Sequence, residues 1–224
     1  MGGRLTSALK FGFRGLLELI YGGGDNCIHC GAYAEKYLCT SCLKHIVFCS
    51  EGWNIEKSTK NYRCYSAVYY TNIVKELISG LKYRGDFNCG RVLIELMEEV
   101  IAKQKLKFDA VAYVPMTLRR ERLRGYNQSR YLAKALAENH GVTLIEDVVK
   151  SRETVDQIGL DGVQRWLNLE NSFTATGEKH IVGKHILLVD DVITTGATSF
   201  YCALALEEKG ADEIIILTAA KSSI

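Results

Sequence analysis

Ile186-Leu187-Leu188-Val189-Asp190-Asp191-Val192-Ile193-Thr194-Thr195-Gly196-Ala197-Thr198 is the stretch on which the fold turns. A short, fully apolar run reads as a strand buried on both faces, the kind found in parallel sheets. Two acids follow at its carboxyl tip, and a small polar turn then opens a helix. In open α/β sheets that tip is where ligands bind. Backbone N–H groups and hydroxyls of Thr194, Thr195, Gly196, Ala197 and Thr198, at a helix N-terminus, suit a phosphate. Gly196 lets the backbone approach the anion closely. Carboxylates are unfavourable next to a phosphate, so Asp190 and Asp191 must serve another part of the ligand. Vicinal sugar hydroxyls are good donors to them, and a magnesium ion can be held nearby. An acidic strand end before an ordinary helix cap would explain one aspartate and one threonine, but not the whole segment.

Alternation of strand and helix extends outward from this segment. Tyr65–Tyr70, Ala110–Val114 and Ile214–Ala220 read as strands, and Val142–Val149 as a further one. Asn72–Tyr83, Arg91–Gln104, Arg130–Glu138 and Thr198–Glu208 show helical spacing of apolar residues. Together they predict an α/β domain with a mostly parallel sheet flanked by helices, spanning residues 65–224. Leu5, Leu9, Phe13, Leu16, Leu17 and Ile20 predict an amphipathic helix within residues 1–24, either packed on the body of the protein or docked on a membrane or partner.

Residues 25–64 hold a separate signal. Cys27, Cys30, Cys39 and Cys42 form two Cys-x2-Cys pairs, the spacing of a closed tetrahedral zinc site with a structural role. A redox dithiol pair and unrelated cysteines are the alternatives. With 224 residues, 47% hydrophobic and 24% charged, the composition is that of an ordinary globular protein, and a formal net charge of +2 by itself implies neither nucleic-acid nor membrane binding, so any electrostatic argument has to be local. Eight cysteines without a visible signal peptide, and no apolar run approaching a membrane span, predict a cytoplasmic protein.

The most basic stretch runs from Pro115 to Lys134, where Arg119, Arg120, Arg122, Arg124, Arg130 and Lys134 stand against Glu121. Arg122 and Arg124, with Asn127 and Gln128, suit a diphosphate or a nucleic-acid backbone. A solvated, arginine-rich helix start would look the same.

The Asp190–Thr198 segment resembles the signature of the type I phosphoribosyltransferases, which bind 5-phosphoribosyl 1-diphosphate. Val114-Pro115-Met116, Arg124-Gly125-Tyr126-Asn127-Gln128-Ser129, Arg152, Gln157-x-Gly159-Leu160, Arg165, Asn168 and Phe173, together with the cysteine pairs, narrow the resemblance to the ComF family. Its members place a cysteine zinc module ahead of an amidophosphoribosyltransferase-like domain and are associated with natural competence.

That resemblance implies a type I phosphoribosyltransferase fold. It implies ribose binding by Asp190 and Asp191 with Val192, and a 5-phosphate held by Thr194–Thr198. Magnesium would accompany the diphosphate, and Arg152, Gln157 and Arg165 would lie in a hood over the site. Catalytic transfer, with Asp190 and Asp191 facing charge that develops on the ribose, is one expectation. Single-stranded DNA binding, alongside a competence helicase, is a second, and sensing of the ligand without turnover a third. Tyr65, Tyr69, Tyr70, Tyr83 and Tyr126 are the aromatic candidates for stacking on bases. Tyr113-Val114-Pro115-Met116-Thr117-Leu118 stands where the family shows a Pro-Val-Pro-Leu-His-Pro-like run, and Tyr126 where Phe is usual. Lys82-Tyr83-Arg84-Gly85-Asp86 also matches the family without a chemical role that its residues disclose.

Overall fold

The computed structural model describes residues 26–150, 166–167 and 169–222. The expected N-terminal helix and the hood residues Arg152, Gln157 and Arg165 lie outside these. Two compact units are present, Met1–His45 and Ile46–Ile224. In the smaller one a bridge between Asn26 and Tyr33 closes a turn, and the short helix α1 (Thr40–Lys44) follows.

The larger unit is built on six strands in the order β1-β2-β8-β7-β3-β4. Its edge hairpin, β1 (Trp53–Lys57) and β2 (Lys60–Tyr69), is antiparallel, and all the other pairings in this sheet are parallel. A sequence boundary at residue 64 therefore falls inside β2, and residues 46–64 belong with the larger unit. Helix α2 (Asn72–Ser79) leads into a π-helical turn, Gly80–Arg84, and then α3 (Phe87–Gln104), whose first turn is capped by Asp86 accepting from Asn88 N at 3.0 Å. The helix expected over residues 72–83 thus continues through that range but changes to π geometry at Gly80. Gly80 permits tight packing at this change, because a Cβ there would stand 2.5 Å from Cys89 Sγ.

Strand β3 (Ala110–Tyr113) is followed by α4 (Leu118–Arg124), α5 (Gln128–His140) and β4 (Thr143–Ile145). The chain then leaves the sheet for a small antiparallel pair, β5 (Val148–Lys150) with β6 (Phe173–Ala175). The apolar run at 142–149 is accordingly two strands in two sheets rather than one. Short helix α6 (Glu178–Ile181) precedes the central strand β7 (His185–Ile193), then α7 (Ala197–Glu208) and β8 (Glu213–Lys221).

Ile186, Leu187, Leu188 and Val189 are all at most 1% exposed, so both faces of β7 are covered. Helix α5 packs on β3 and β7, α3 on β2 and β8, and α7 on β7 and β8. The mostly parallel sheet flanked by helices is the fold class the sequence predicts. Connections from β3 run outward to β4, whereas those from β7 run the opposite way to β8. The carboxyl ends of β3 and β7 therefore bound a topological switch point, the crevice where such sheets bind ligands.

Candidate functional site

Strand β7 does not stop at Val189. Toward β8 its pairing continues through Asp190↔Thr218, Val192↔Ala220 and Ile193↔Lys221. Toward β3 it ends at Tyr113↔Val189, with a last bond from Val114 N to Val189 O of 2.9 Å. The two aspartates thus sit on backbone held rigid from one side and open on the other. Asp190 is 9% exposed and Asp191 5%. Asp190 Oδ1 accepts from Ser129 Oγ at 2.8 Å and from Asp191 N at 2.9 Å. Burial, and then the neighbouring Asp191 charge, push the Asp190 carboxyl up to about 7, against the pull of Ser129, the Asp191 backbone N–H and Lys82.

Lys82 supplies the opposing charge through an ion pair between its Nζ and Asp191 Oδ2. Burial lowers the ammonium's affinity for its proton, yet Asp191 and Asp190 outweigh burial and hold it above the ordinary lysine value. Sequence reasoning left Lys82 without a role. Its only signal was membership of the Lys82–Asp86 pattern.

Beyond Ile193 the chain turns through Thr194 and Thr195 into α7. Gly196 sits in the left-handed region at φ 81°, and a Cβ on it would meet Ile55 Cδ1 at 2.8 Å. Thr195 Oγ1 accepts from Ala197 N at 3.4 Å. A cavity of about 330 Å³ lies against this turn, walled by Thr194–Ser199, Asp190, Lys82 and Tyr70 among others. A larger one, of about 680 Å³, opens on the β3 side between Val114–Thr117, Arg120, Arg124, Gln128 and Lys150. Lys82, Asp190, Val192 and Thr198 line both. The two cavities therefore form one groove across the end of β7, with a helix N-terminus at one end, acids in the middle and cations at the other. Burial lowers the Lys150 ammonium to about 8, with Arg120 adding to the effect and Asp190 opposing it.

The residues of the basic stretch divide. Arg124 lines the groove, donates from Nη1 to Gln128 Oε1 at 2.5 Å, and places its guanidinium 5.3 Å from the Tyr83 ring centroid. Gln128 lines the groove as well. Arg122 is exposed on α4 and lines neither cavity. Asn127 is buried: its Oδ1 caps α5 by accepting from Ser129 N and Arg130 N, and its Nδ2 donates to Val114 O at 3.3 Å. That side chain holds the β3 end and the α5 start together. Arg120 of the basic stretch and Ser129 of the family motif join the groove without having been given a role, and Lys150 joins it without having been singled out, because nothing local distinguishes it from a surface lysine. Of the aromatic candidates, Tyr83 is the most open at 76% exposed, while Tyr126 packs on Phe87 at 5.6 Å between centroids.

In the smaller unit, the Sγ atoms of Cys27, Cys30, Cys39 and Cys42 lie within 4.8 Å of one another and could hold a metal ion. The Cys30–Cys39 sulfur separation of 3.6 Å is near the ~3.8 Å edge of a tetrahedron with ~2.3 Å metal–sulfur bonds. Both pairs sit on tight backbone. Gly31 N donates to Cys27 O at 2.9 Å, and Cys42 N donates to Cys39 Sγ at 3.4 Å, opening α1. Burial raises the Cys27 thiol, but backbone N–H groups of Cys30, Cys39 and His29 more than reverse this and bring it to about 6. Cys42 is driven strongly upward, by burial and then by the sulfurs around it. Four crowded sulfurs of which one favours and one resists ionisation are a set that a dication would bring to a common state. His45, whose Nδ1 bonds Ser41 O at 2.8 Å, is not among the ligand atoms gathered in this cluster.

Competence protein F of Haemophilus influenzae is 29% identical over 197 residues, covering 84% of this chain and 81% of that protein. DNA utilization protein YhgH of Salmonella typhi is 31% identical over 163 residues, covering 70% of this chain and 71% of that protein. The chain belongs to the ComF family. No family model matches it. Among solved structures, glutamine phosphoribosylpyrophosphate amidotransferase from B. subtilis is similar to this ComF-family chain at a TM-score of 0.44 and 20% identity, over 72% of this chain and 32% of that one. The chain thus spans about a third of the length of that amidotransferase.

Proposed function

We propose that this ComF-family protein binds 5-phosphoribosyl 1-diphosphate in the groove across β7. The supporting observation is the order of groups along that groove: the Thr194–Thr198 turn at a helix N-terminus for the 5-phosphate, the buried acids for the ribose hydroxyls, and Arg124, Gln128 and Lys150 for the diphosphate. Asp190 and Asp191 offer the hard oxygens that suit magnesium, but Lys82 already engages Asp191, so the ion fits best as a companion of the diphosphate. There it would neutralise the charge of a departing diphosphate. Turnover would displace that diphosphate from C1 by a nitrogen nucleophile, with the two aspartates facing the positive charge that grows on the ribose. The cysteine cluster holds a structural zinc in this reading, and the relatives' names, a competence protein and a DNA utilization protein, support a link to competence or DNA utilisation.

Isothermal titration with the ligand and Mg2+ tests binding, and diphosphate release in the presence of nucleobases or ammonia tests transfer. Binding that disappears in Asp190→Ala/Asp191→Ala, with the circular dichroism of the fold retained, supports the site. Undiminished binding in that variant overturns it.

A second reading is favoured by α4, a helix with no buried residue that presents Arg119, Arg120 and Arg122 outward. These arginines, with Tyr83, suit single-stranded DNA, which a competence helicase would hand over or receive. Affinity for an oligonucleotide should fall with salt, and Arg119→Ala/Arg122→Ala should flatten the log–log slope by about 1.4 if each contacts one phosphate. An unchanged slope removes α4 from any DNA interface.

A further inference from the structure

We propose that Lys82 is an exchangeable counter-ion: it neutralises Asp191 in the free protein and turns to the ligand's diphosphate when sugar hydroxyls take its place on the carboxylate. This rests on the phosphoribosyl diphosphate reading and assigns its selectivity to one residue.

Two adjacent carboxylates buried as deeply as Asp190 and Asp191 need compensation, because an unpaired buried charge is costly. Lys82 provides it in the absence of ligand. Ribose hydroxyls are neutral donors, so a sugar that displaces the ammonium satisfies the carboxylate's hydrogen bonding and leaves Lys82 without an anion. A second anion must arrive with the same ligand. Lys82 lines the phosphate-turn cavity and the cation-rich cavity alike, and so stands between the two places where such anions would lie.

The backbone around it is built to keep that position. Leu81, at 1% exposed, anchors the π-helical turn in the core. Gly80 O accepts from Asp86 N at 3.1 Å, and Asp86 in turn caps α3. Movement is therefore left to the lysine side chain, whose four-carbon stem lets a compact charge change partners without moving the fold. Arg120, Arg124 and Lys150 bring positive charge to the far cavity, whose lining also includes Asp190 and Asp191. Lys82 differs from these three in being paired to the carboxylate that the sugar must approach.

The consequence is a preference for the diphosphate ester over the simple sugar phosphate. Ribose 5-phosphate fills the turn and reaches the acids, but offers the displaced ammonium no diphosphate. Dissociation constants for 5-phosphoribosyl 1-diphosphate and ribose 5-phosphate, measured at fixed Mg2+ on wild type, Lys82→Met and Lys82→Arg, test this directly. The expected result is a loss of about tenfold or more for the diphosphate ester in Lys82→Met, a much smaller change for ribose 5-phosphate, and partial recovery of the preference in Lys82→Arg. Lys82→Met/Asp191→Asn removes the ion pair as a unit, so neither of its partners is left buried without the other. It should show the same lost preference.

Equal weakening of both ligands would make Lys82 a structural partner of Asp191 and overturn the exchange, as would an unchanged ratio in every variant. Failure of wild type to bind either ligand would instead defeat the underlying reading, and the inference with it.

Discussion

At the scale of single residues, burial decides the behaviour of the site's charges. Asp190 is held near 7 by burial and by Asp191, well above the ~3.9 of an unfolded aspartate. With the folded value raised, the group's stabilising contribution is complete below about pH 4 and is lost as pH climbs to about 7. Lys82, Ser129 and the Asp191 backbone N–H reduce this loss without abolishing it. Asp190→Asn keeps an Oδ1 for the bonds from Ser129 and Asp191 N while removing the charge. The ligand-free variant should thus be more stable than wild type by roughly 1–3 kcal/mol at pH 8, with the gap closing toward pH 4 in urea titrations across that range. Tyr126 makes a simpler case. Its buried hydroxyl has no hydrogen-bond partner among the described residues, while its ring packs on Phe87. Tyr126→Phe, which installs the residue common in the family, should be neutral or stabilising by up to about 1 kcal/mol in thermal melts.

Among the elements, the turn into α7 and the cysteine module show how local chemistry is made specific. Gly196 combines a left-handed backbone with the close approach of Ile55 from the edge hairpin. Gly196→Ala should cost about 1–2 kcal/mol in urea unfolding through backbone strain alone, and should weaken ligand binding as the turn shifts. A helix that starts at this turn is legible from Thr194–Thr198, but the hairpin pressing on it is not, since Trp53–Lys57 carries no strong strand pattern. For the cysteine cluster, protein purified with its metal should contain about one zinc per chain by elemental analysis, and Cys39→Ser should lose it. Retention of the metal in that variant would mean that the four sulfurs are not the ligand set. Helix α4 was readable as an arginine-rich helix start. That none of its residues is buried emerged only from the fold.

The whole molecule is organised by β7, whose apolar run is covered on both faces and whose end lies at the switch point of the sheet. Leu188 is fully buried at its centre, so Leu188→Ala should cost about 2–5 kcal/mol in denaturant titrations, the range for a leucine removed from a packed core. By itself the sequence determined the α/β class, the crowding of four cysteines, and the succession of strand, acids and turn, because each is written in spacings of a few residues. It placed too much in one strand at 142–149 and ended β7 too early. Strand partners decide where an extended segment divides or continues, and those partners are distant in the chain. Tertiary structure alone decided that Asn127 is a cap, that Arg122 stands outside the groove, and that Lys82 pairs with Asp191. An ion pair in a buried site depends on distance in space and on the exclusion of water, neither of which local spacing records.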